Sequence, residues 1–172
     1  MGSQVQILPS ALFYKMINMK IREAKLKDVE EISYLNSLLM KYHLRFDKYW
    51  AVKKNARKQF ANYMKKMIRS PNAFVIVAED NRKIVGYTFG KIIKHPPVLK
   101  IERAGHLNDM FVLESYRRKG TGSKMTHELF KWFKSKGLDY AELDVDFRNK
   151  VGMRAWKSLG FKENTVEMKR KI

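Results

Sequence analysis

Residues 107–122, Leu-Asn-Asp-Met-Phe-Val-Leu-Glu-Ser-Tyr-Arg-Arg-Lys-Gly-Thr-Gly, decide how the rest of the chain is interpreted. The pattern over 107–113 predicts a strand, and a basic turn with two glycines follows it. The next segment predicts a helix with one apolar face, made by Met125, Leu129, Trp132 and Phe133. A strand, a glycine turn and a helix in this order form an anion site, because free N–H groups and the helix dipole favour negative charge there.

The glycines of this turn, Gly120 and Gly122, allow the backbone to approach a bulky phosphate, and the preceding basic residues add positive charge. The turn matches neither common nucleotide signature. A P-loop needs G-x-x-x-x-G-K-[ST], and a dinucleotide fold needs G-x-G-x-x-G near its first strand. Taken alone, two glycines with a basic flank also fit a plain tight turn. The surrounding elements therefore have to support the phosphate interpretation.

Working outward, the hydrophobic pattern predicts strands and helices on both sides of the turn. The strands are predicted at 20–24, 73–79, 84–93, 107–113, 140–146 and 164–170, and the helices at 28–42, within 50–69, after 122 and at 149–159. This order predicts an α/β fold with a mixed sheet and helices on both faces. We expect one domain over 19–172, with 1–18 as an N-terminal extension and with Met16 or Met19 as alternative starts of the chain.

Composition excludes several classes of protein. The chain has 172 residues, no cysteine and four scattered histidines, so we expect no disulfide, no cysteine nucleophile and no metal site. Its apolar runs are far shorter than the roughly 18 residues of a membrane-spanning helix, so we expect no integral membrane protein. Residues 1–18 lack the basic start and continuous apolar run of a signal peptide, and we therefore expect the cytoplasm. A net charge of +19 leaves nucleic acid and acidic partners to be weighed.

The stretch 107–122 resembles the acetyl-CoA signature of the GCN5-related N-acetyltransferase (GNAT) superfamily, [RQ]-x-x-G-x-[GA], through Arg117, Gly120 and Gly122. A second match, Asn149 followed by 155–161, is similar to the family segment N-x(6)-Y-x(3)-G-F. Both matches stand in the family's order and spacing. The resemblance implies the GNAT fold and transfer of an acetyl group from acetyl-CoA to a primary amine of a small molecule or peptide.

The resemblance also implies where acetyl-CoA binds. In this family the strand before the turn splays from its parallel neighbour, offers backbone groups to the pantetheine arm and polarises the thioester carbonyl. The pyrophosphate rests on the amides that follow. The implied cofactor positions are Phe111, Val112, Leu113, Arg117, Arg118, Lys119, Gly120, Thr121, Gly122, Ser123, Asn149 and Trp156.

The catalytic positions are less clear from the residues. The acceptor amine must lose a proton, and we rank Asp109 first and Asp144 second as general base; Glu142, Asp146 and His106 are fallbacks. Trp156 stands where the family usually has a Tyr that protonates the thiolate, and an indole cannot act as an acid. Either the thiolate leaves without a protein acid, or Tyr116 or Tyr140 helps; Trp156 also fits as a core aromatic.

The positive charge is concentrated in two segments. Residues 41–70 contain ten Lys and Arg and one acid, and residues 115–137 contain seven against one. The second segment suits an anionic cofactor, whereas the first favours acidic acceptors over polyamines. An alternative is a nucleic-acid- or ribosome-associated binding module that has lost catalysis, although nucleic acid is not favoured. The oligomeric state, monomer or homodimer, stays open.

Overall fold

The computed structural model describes residues 19–172, so the predicted extension over 1–18 lies outside the described residues. Five strands form one sheet in the order β1 to β5. The first four strands pair antiparallel and β5 pairs parallel to β4. The strands are β1 (Lys20–Glu23), β2 (Ala73–Asp80), β3 (Lys83–Lys94), β4 (Arg103–Val112) and β5 (Ala141–Glu142). This arrangement confirms the predicted mixed sheet.

The hairpin of β2 and β3 forms because its two turn residues adopt the left-handed conformation. Asn81 and Arg82 have φ of 49° and 63°, as a two-residue primed turn requires. Strand β3 then pairs with β4 along most of its length, from Gly86 opposite Val112 to Lys94 opposite Arg103. This long ladder is the platform on which the candidate site is built.

Helices cover both faces of the sheet, as predicted. The helices are α1 (Val29–His43), α2 (Ala56–Arg69), α3 (Thr121–Ser135) and α4 (Lys150–Ser158). On one face, α1 and α2 bury Ile32, Leu35 and Met64 against the sheet. On the other, α3 buries Leu129 and Phe133. Each helix presents an apolar stripe at the 3.6-residue period, and these two cores drive the packing of the helices onto the sheet.

Strand β5 is much shorter than the predicted strand over 140–146. It pairs with β4 at two positions only, Gly105 with Ala141 and His106 with Glu142. Beyond them the chain carries Asp144, which is almost fully exposed, and Asp146, which binds Arg148. Carboxylates that find partners in solvent or in a neighbouring guanidinium cannot extend a buried ladder. Past His106, β4 has no strand partner on this side among the described residues, and we call this unpaired edge the opening beside β4.

The predicted last strand over 164–170 is wrong. Within the described residues, no helix or strand follows α4. The apolar members of its alternating pattern, Val166 and Met168, are 87% and 90% exposed and bury nothing against the sheet. A strand needs one packed face to offset its ordering entropy, and this segment has none.

Candidate functional site

The opening between β4 and residues 143–146 exposes one edge of β4. Leu113 donates its N–H to the carbonyl of Val85 on β3. Because bonding direction alternates along an antiparallel strand, Met110 and Val112 turn their backbone groups away from β3 and towards the opening. The family resemblance implies that Phe111, Val112 and Leu113 offer backbone groups to the pantetheine arm. In the structure Met110 and Val112 face the opening, whereas Phe111 and Leu113 direct their backbone groups towards β3.

A β-bulge shapes β4 at the level of this opening. The register between β3 and β4 shifts between Phe89 and Gly90, so that Asn108 is the extra residue. The side-chain Oδ1 of Asn108 is buried and has no hydrogen-bond partner among the described residues. The bulge lies next to Asp109 and to the pairing of His106 with β5, where the two strands separate.

The glycine turn has the geometry of an anion site. Gly120 adopts φ of +77° and precedes α3 as its N-cap. The first helical bond runs from the N–H of Lys124 to the carbonyl of Gly120, 2.9 Å, so the N–H groups of residues 121–123 precede the helical ladder. Gly122 faces β4, where an added Cβ would lie 3.4 Å from the sulfur of Met110. The N–H groups of residues 121–123 and the Met110 side chain therefore lie on either side of Gly122.

The basic side chains of the turn have other partners. Arg117 donates from Nε to the carbonyl of Val112 at 2.8 Å and covers the Phe111 ring at 5.4 Å. Lys119 donates to the carbonyl of Ser115. Arg118 and Ser123 are exposed, while the Thr121 hydroxyl donates to the carbonyl of Tyr116. Arg117 and Lys119 therefore brace the turn, and the backbone supplies the anion donors.

On the other face of the sheet, Asp109 lies in a polar cluster with Tyr87 and Asn36. Its Oδ2 accepts from the Tyr87 hydroxyl at 3.0 Å and from the Asn36 amide at 3.2 Å. The same amide donates to the Tyr87 oxygen at 3.1 Å. Tyr87 is fully buried, whereas Asp109 keeps part of its surface accessible. The cluster thus holds one carboxylate in a fixed position that solvent can still reach.

Burial raises the pKa of Asp109 to about 6, and the hydrogen bonds from Tyr87 and Asn36 partly oppose that rise. Burial and the neighbouring carboxylate raise the pKa of Tyr87, so its hydroxyl stays protonated and donates. A carboxylate with a pKa about 6 is mostly ionised at neutral pH, yet it is a stronger base than an ordinary aspartate. Such a group is suited to accept a proton during a reaction.

The remaining catalytic candidates lie elsewhere. Asp144 is 90% exposed and reaches the Nε2 of His106 at 3.7 Å. The Tyr116 hydroxyl donates to Asp80 at 2.7 Å, and this bond raises the pKa of Tyr116. Tyr140 is exposed. The structure joins none of these residues to the cluster of Asp109, Tyr87 and Asn36.

Asn149 and Trp156 lie at and within the short helix α4. The Oδ1 of Asn149 caps that helix by accepting from the N–H of Gly152, and it also accepts from the Tyr42 hydroxyl at 3.0 Å. Trp156 packs edge-on against Phe161, 5.7 Å between ring centroids, beside the α3 core. Both side chains support the packing of α4, and Trp156 is half-buried against the α3 core.

Three residues of the site escaped the sequence reasoning, namely Asn36, Tyr87 and Met110. For Asn36 a signal was present, because it is a polar residue within the apolar stripe of Ile32, Leu35 and Leu39. A polar side chain at such a position needs a buried partner. Nothing in the pattern of β3 or β4 indicated that Tyr87 or Met110 would face Asp109 or the opening.

Two kinds of feature, metal-binding side-chain groups and membrane-spanning helices, are absent from the described residues. Over 19–172, no group of three or more His, Asp or Glu side chains is placed to hold a metal ion. Over the same residues, no helix has the length and apolarity that crossing a bilayer requires.

Comparison with known proteins places this geometry in context. A family model described as Acetyltransferase (GNAT) family matches residues 34–161. An N-alpha-acetyltransferase from Sulfurisphaera tokodaii is 29% identical over 154 residues, which cover 86% of this chain and 82% of that protein. An uncharacterized N-acetyltransferase from Methanocaldococcus jannaschii is 30% identical over 75% of this chain, and the match spans 55% of that relative.

Solved structures show the same fold. The BH1408 protein from Bacillus halodurans superposes with a TM-score of 0.79 at 23% identity, over 89% of this chain and 99% of that one. An aminoglycoside N-acetyltransferase, AAC(6')-Iy in complex with CoA, superposes with a TM-score of 0.74 at 18% identity, over 90% and 95% of the two chains.

Proposed function

The chain belongs to the acetyltransferase (GNAT) family, and we propose that it transfers the acetyl group of acetyl-CoA to a primary amine with Asp109 as general base. The observation that carries the proposal is the juxtaposition of Asp109 with the opening beside β4. Asp109 precedes Met110, whose backbone faces the opening, by one residue, or about 3.4 Å of strand. A thioester in the opening would therefore lie close to the carboxylate.

The glycine turn would bind the pyrophosphate of acetyl-CoA through the N–H groups of residues 121–123. The pantetheine arm would then follow the exposed edge of β4, with the backbone of Met110 and the N–H of Val112 as its hydrogen-bond partners, because Arg117 already binds the Val112 carbonyl. A backbone N–H at this edge would polarise the thioester carbonyl. Compared with the strand positions that the family resemblance implies, the proposed site includes Met110 in place of Phe111 and Leu113.

The reaction would need one proton acceptor. The amine nitrogen attacks the carbonyl carbon, the N–C bond forms, the C–S bond breaks and the amine proton passes to Asp109. The leaving thiol has an ordinary pKa near ~8.5, so it can depart as a thiolate and take its proton from solvent. No protein acid is then required, which suits the Trp156 side chain and the engaged hydroxyl of Tyr116.

The acceptor is proposed to be an α-amine on a peptide, with acidic residues nearby. The pKa of Asp109, about 6, is roughly 2 below the pKa of an α-amine, ~7.8, but more than about 4 below that of a lysine amine, ~10.4. Proton transfer to Asp109 is therefore less unfavourable from an α-amine. The net charge of +19 disfavours polycations such as aminoglycosides. The Sulfurisphaera relative, named an N-alpha-acetyltransferase, supports the same choice.

A turnover assay tests this proposal. Purified protein is mixed with acetyl-CoA and one of three acceptors: an acidic peptide with a free N-terminus, an N-blocked lysine peptide or an aminoglycoside, and release of the CoA thiol is followed. We expect turnover mainly with the free N-terminus. A parallel melting experiment should show stabilisation by acetyl-CoA. Failure of acetyl-CoA to bind would refute the cofactor site, whereas binding with turnover only of the lysine peptide would refute the α-amine.

A further inference from the structure

A second basic region lies between the outer sides of α1 and α2, and we call it the α1–α2 groove. It has a volume of about 580 Å³. Its lining residues are Glu30, Lys54, Asn55, Arg57, Lys58, Ala61, Asn62 and Lys65. All but Ala61 are exposed. The groove is therefore an open, polar channel along one side of α2.

The positive charge of the groove is largely uncompensated. Arg57 reaches the carboxylate of Glu30 at 3.8 Å, a weak and exposed pair. Across residues 19–172, no carboxylate forms an ion pair with Lys54, Lys58 or Lys65. Several unpaired cations in one groove create a field that attracts a polyanion.

An exposed aromatic ring stands beside these cations. Tyr34 on α1 is 50% exposed, and the guanidinium of Arg57 lies over its ring at 5.7 Å. Arg57 also donates to the carbonyl of Glu30 at 3.3 Å, which fixes it between the two helices. A flat ring and a guanidinium in an open basic groove offer a stacking surface for a nucleobase.

The lining suits nucleic acid better than protein. Protein interfaces have an apolar, aromatic centre and are depleted in lysine, whereas this groove is rich in lysine and its one apolar lining residue is Ala61. Nucleic-acid interfaces are polar and strongly positive. Stacking on Tyr34 needs an unpaired base, which favours a single strand over a duplex.

The groove is separate from the acetyl-CoA site. Helices α1 and α2 pack on one face of the sheet, and the glycine turn leads into α3 on the opposite face. The phosphates of acetyl-CoA therefore do not account for these cations. We propose that the α1–α2 groove binds single-stranded nucleic acid, with Lys54, Lys58 and Lys65 on phosphates and Tyr34 stacked on a base. This proposal does not depend on the acetyl-transfer reaction.

Fluorescence anisotropy with a labelled oligouridine tests the proposal on the full chain, with and without acetyl-CoA. The double variant Lys58→Gln/Lys65→Gln is compared with Lys94→Gln/Lys134→Gln, which removes the same charge from exposed residues outside the groove. We expect about tenfold or greater loss of affinity in the groove variant and a loss of about twofold or less in the control. The salt dependence of log K should fall by about 1.4, or about 0.7 for each lost phosphate contact.

Other outcomes would overturn the proposal. Equal losses in the two double variants would show general charge attraction instead of a groove. If polyglutamate bound as tightly as oligouridine, the ligand would be an acidic polypeptide. If a duplex bound more tightly than oligouridine, a single strand would be excluded. If acetyl-CoA competed with oligouridine, binding at the glycine turn would explain the affinity. The variant Tyr34→Ala should weaken oligouridine binding while its melting temperature stays close to that of the parent, since the ring is half exposed.

Discussion

On the α3 face of the sheet, the proposed anion site comes from one contiguous stretch, residues 107–122, whereas on the α1 face the carboxylate cluster is assembled from distant parts of the chain. Asn36 and Asp109 are 73 positions apart, and Tyr87 and Asp109 are 22 apart. The first part uses backbone N–H groups that a glycine turn arranges locally. The second uses side chains that only the packing of α1 on β3 and β4 brings together.

This difference separates two tasks. A pyrophosphate is a constant ligand, and a backbone cradle binds it with little need for particular side chains. An acceptor varies between enzymes of one fold, so its recognition depends on side chains that tertiary packing selects. Substitutions on the α3 face should therefore change the affinity for acetyl-CoA, and substitutions in the Asp109 cluster should change the rate and its pH dependence.

The largest effect is expected from Gly122→Glu on the α3 face. The new side chain would start 3.4 Å from the Met110 sulfur and place a carboxylate where the pyrophosphate is proposed to bind. We expect more than about a hundredfold loss of affinity for acetyl-CoA, measured by calorimetry, with an unchanged circular dichroism spectrum. Gly122→Ala is the matched control, since its methyl group makes only ordinary contact, and it should retain binding. Unchanged affinity in Gly122→Glu would contradict the phosphate turn.

The second prediction concerns Asp109→Asn on the α1 face. Loss of the base should lower kcat by about 10²-fold or more while leaving the affinity for acetyl-CoA intact. Asp144→Asn removes a fully exposed carboxylate and should keep its rate. A normal rate in Asp109→Asn together with a slow Asp144→Asn would reverse the assignment of the base.

The same variant should be more stable than the parent. Because folding raises the pKa of Asp109 from 3.8 to about 6, the native state binds more protons than the unfolded state between these pH values. The ionised carboxylate thus costs stability above pH 6, and this cost disappears as the pH falls towards 4. We expect a gain on the order of 1 kcal/mol at pH 7 in denaturant unfolding, shrinking below pH 6. A loss of stability at pH 7 would contradict the raised pKa.

A smaller effect is expected from Tyr87→Phe. The Tyr87 hydroxyl lowers the pKa of Asp109, so its removal should raise that pKa and move the acidic limb of the kcat/KM profile to higher pH. The rate should fall severalfold, by about a factor of 3 to 10, near pH 6 and change little near pH 8. Tyr63→Phe is the control, because Tyr63 lies near Asp109 but is not one of its hydrogen-bond donors. A limb that does not move would exclude Tyr87 as a positioning residue.

The sequence predicts the contiguous turn better than the cluster that is assembled from distant residues. The glycine turn, the order of elements and the apolar faces of α2 and α3 were all readable, because each depends on local periodicity or on a contiguous motif. The length of β5 was not predicted. Glu142, Asp144 and Asp146 alternate like a strand, but only Glu142 lies in β5, while Asp144 is exposed and Asp146 binds Arg148. The sequence predicted Asp109 as a base but not its partners Asn36 and Tyr87, because these residues come from remote elements.

The smallest effect is expected from Gly120→Ala, which tests whether the turn needs its left-handed backbone. Gly120 and Gly137 both have positive φ, +77° and +70°, and neither has an atom within 4 Å of an added Cβ. Each alanine variant should therefore lose roughly 1 kcal/mol from backbone strain alone. That loss corresponds to a fall of about 2–4 °C in melting temperature.

Comparing Gly120→Ala with Gly137→Ala separates the effect of backbone strain on stability from the effect on affinity for acetyl-CoA. Gly137 ends α3, far along the chain from the turn, so Gly137→Ala should lose stability and keep its affinity for acetyl-CoA. Gly120→Ala should lose both, because the backbone at residue 120 aims the N–H groups of residues 121–123 at the phosphate. Equal affinities in the two variants would mean that the conformation of Gly120 serves the fold of the turn alone, and that the N–H groups find their ligand without it.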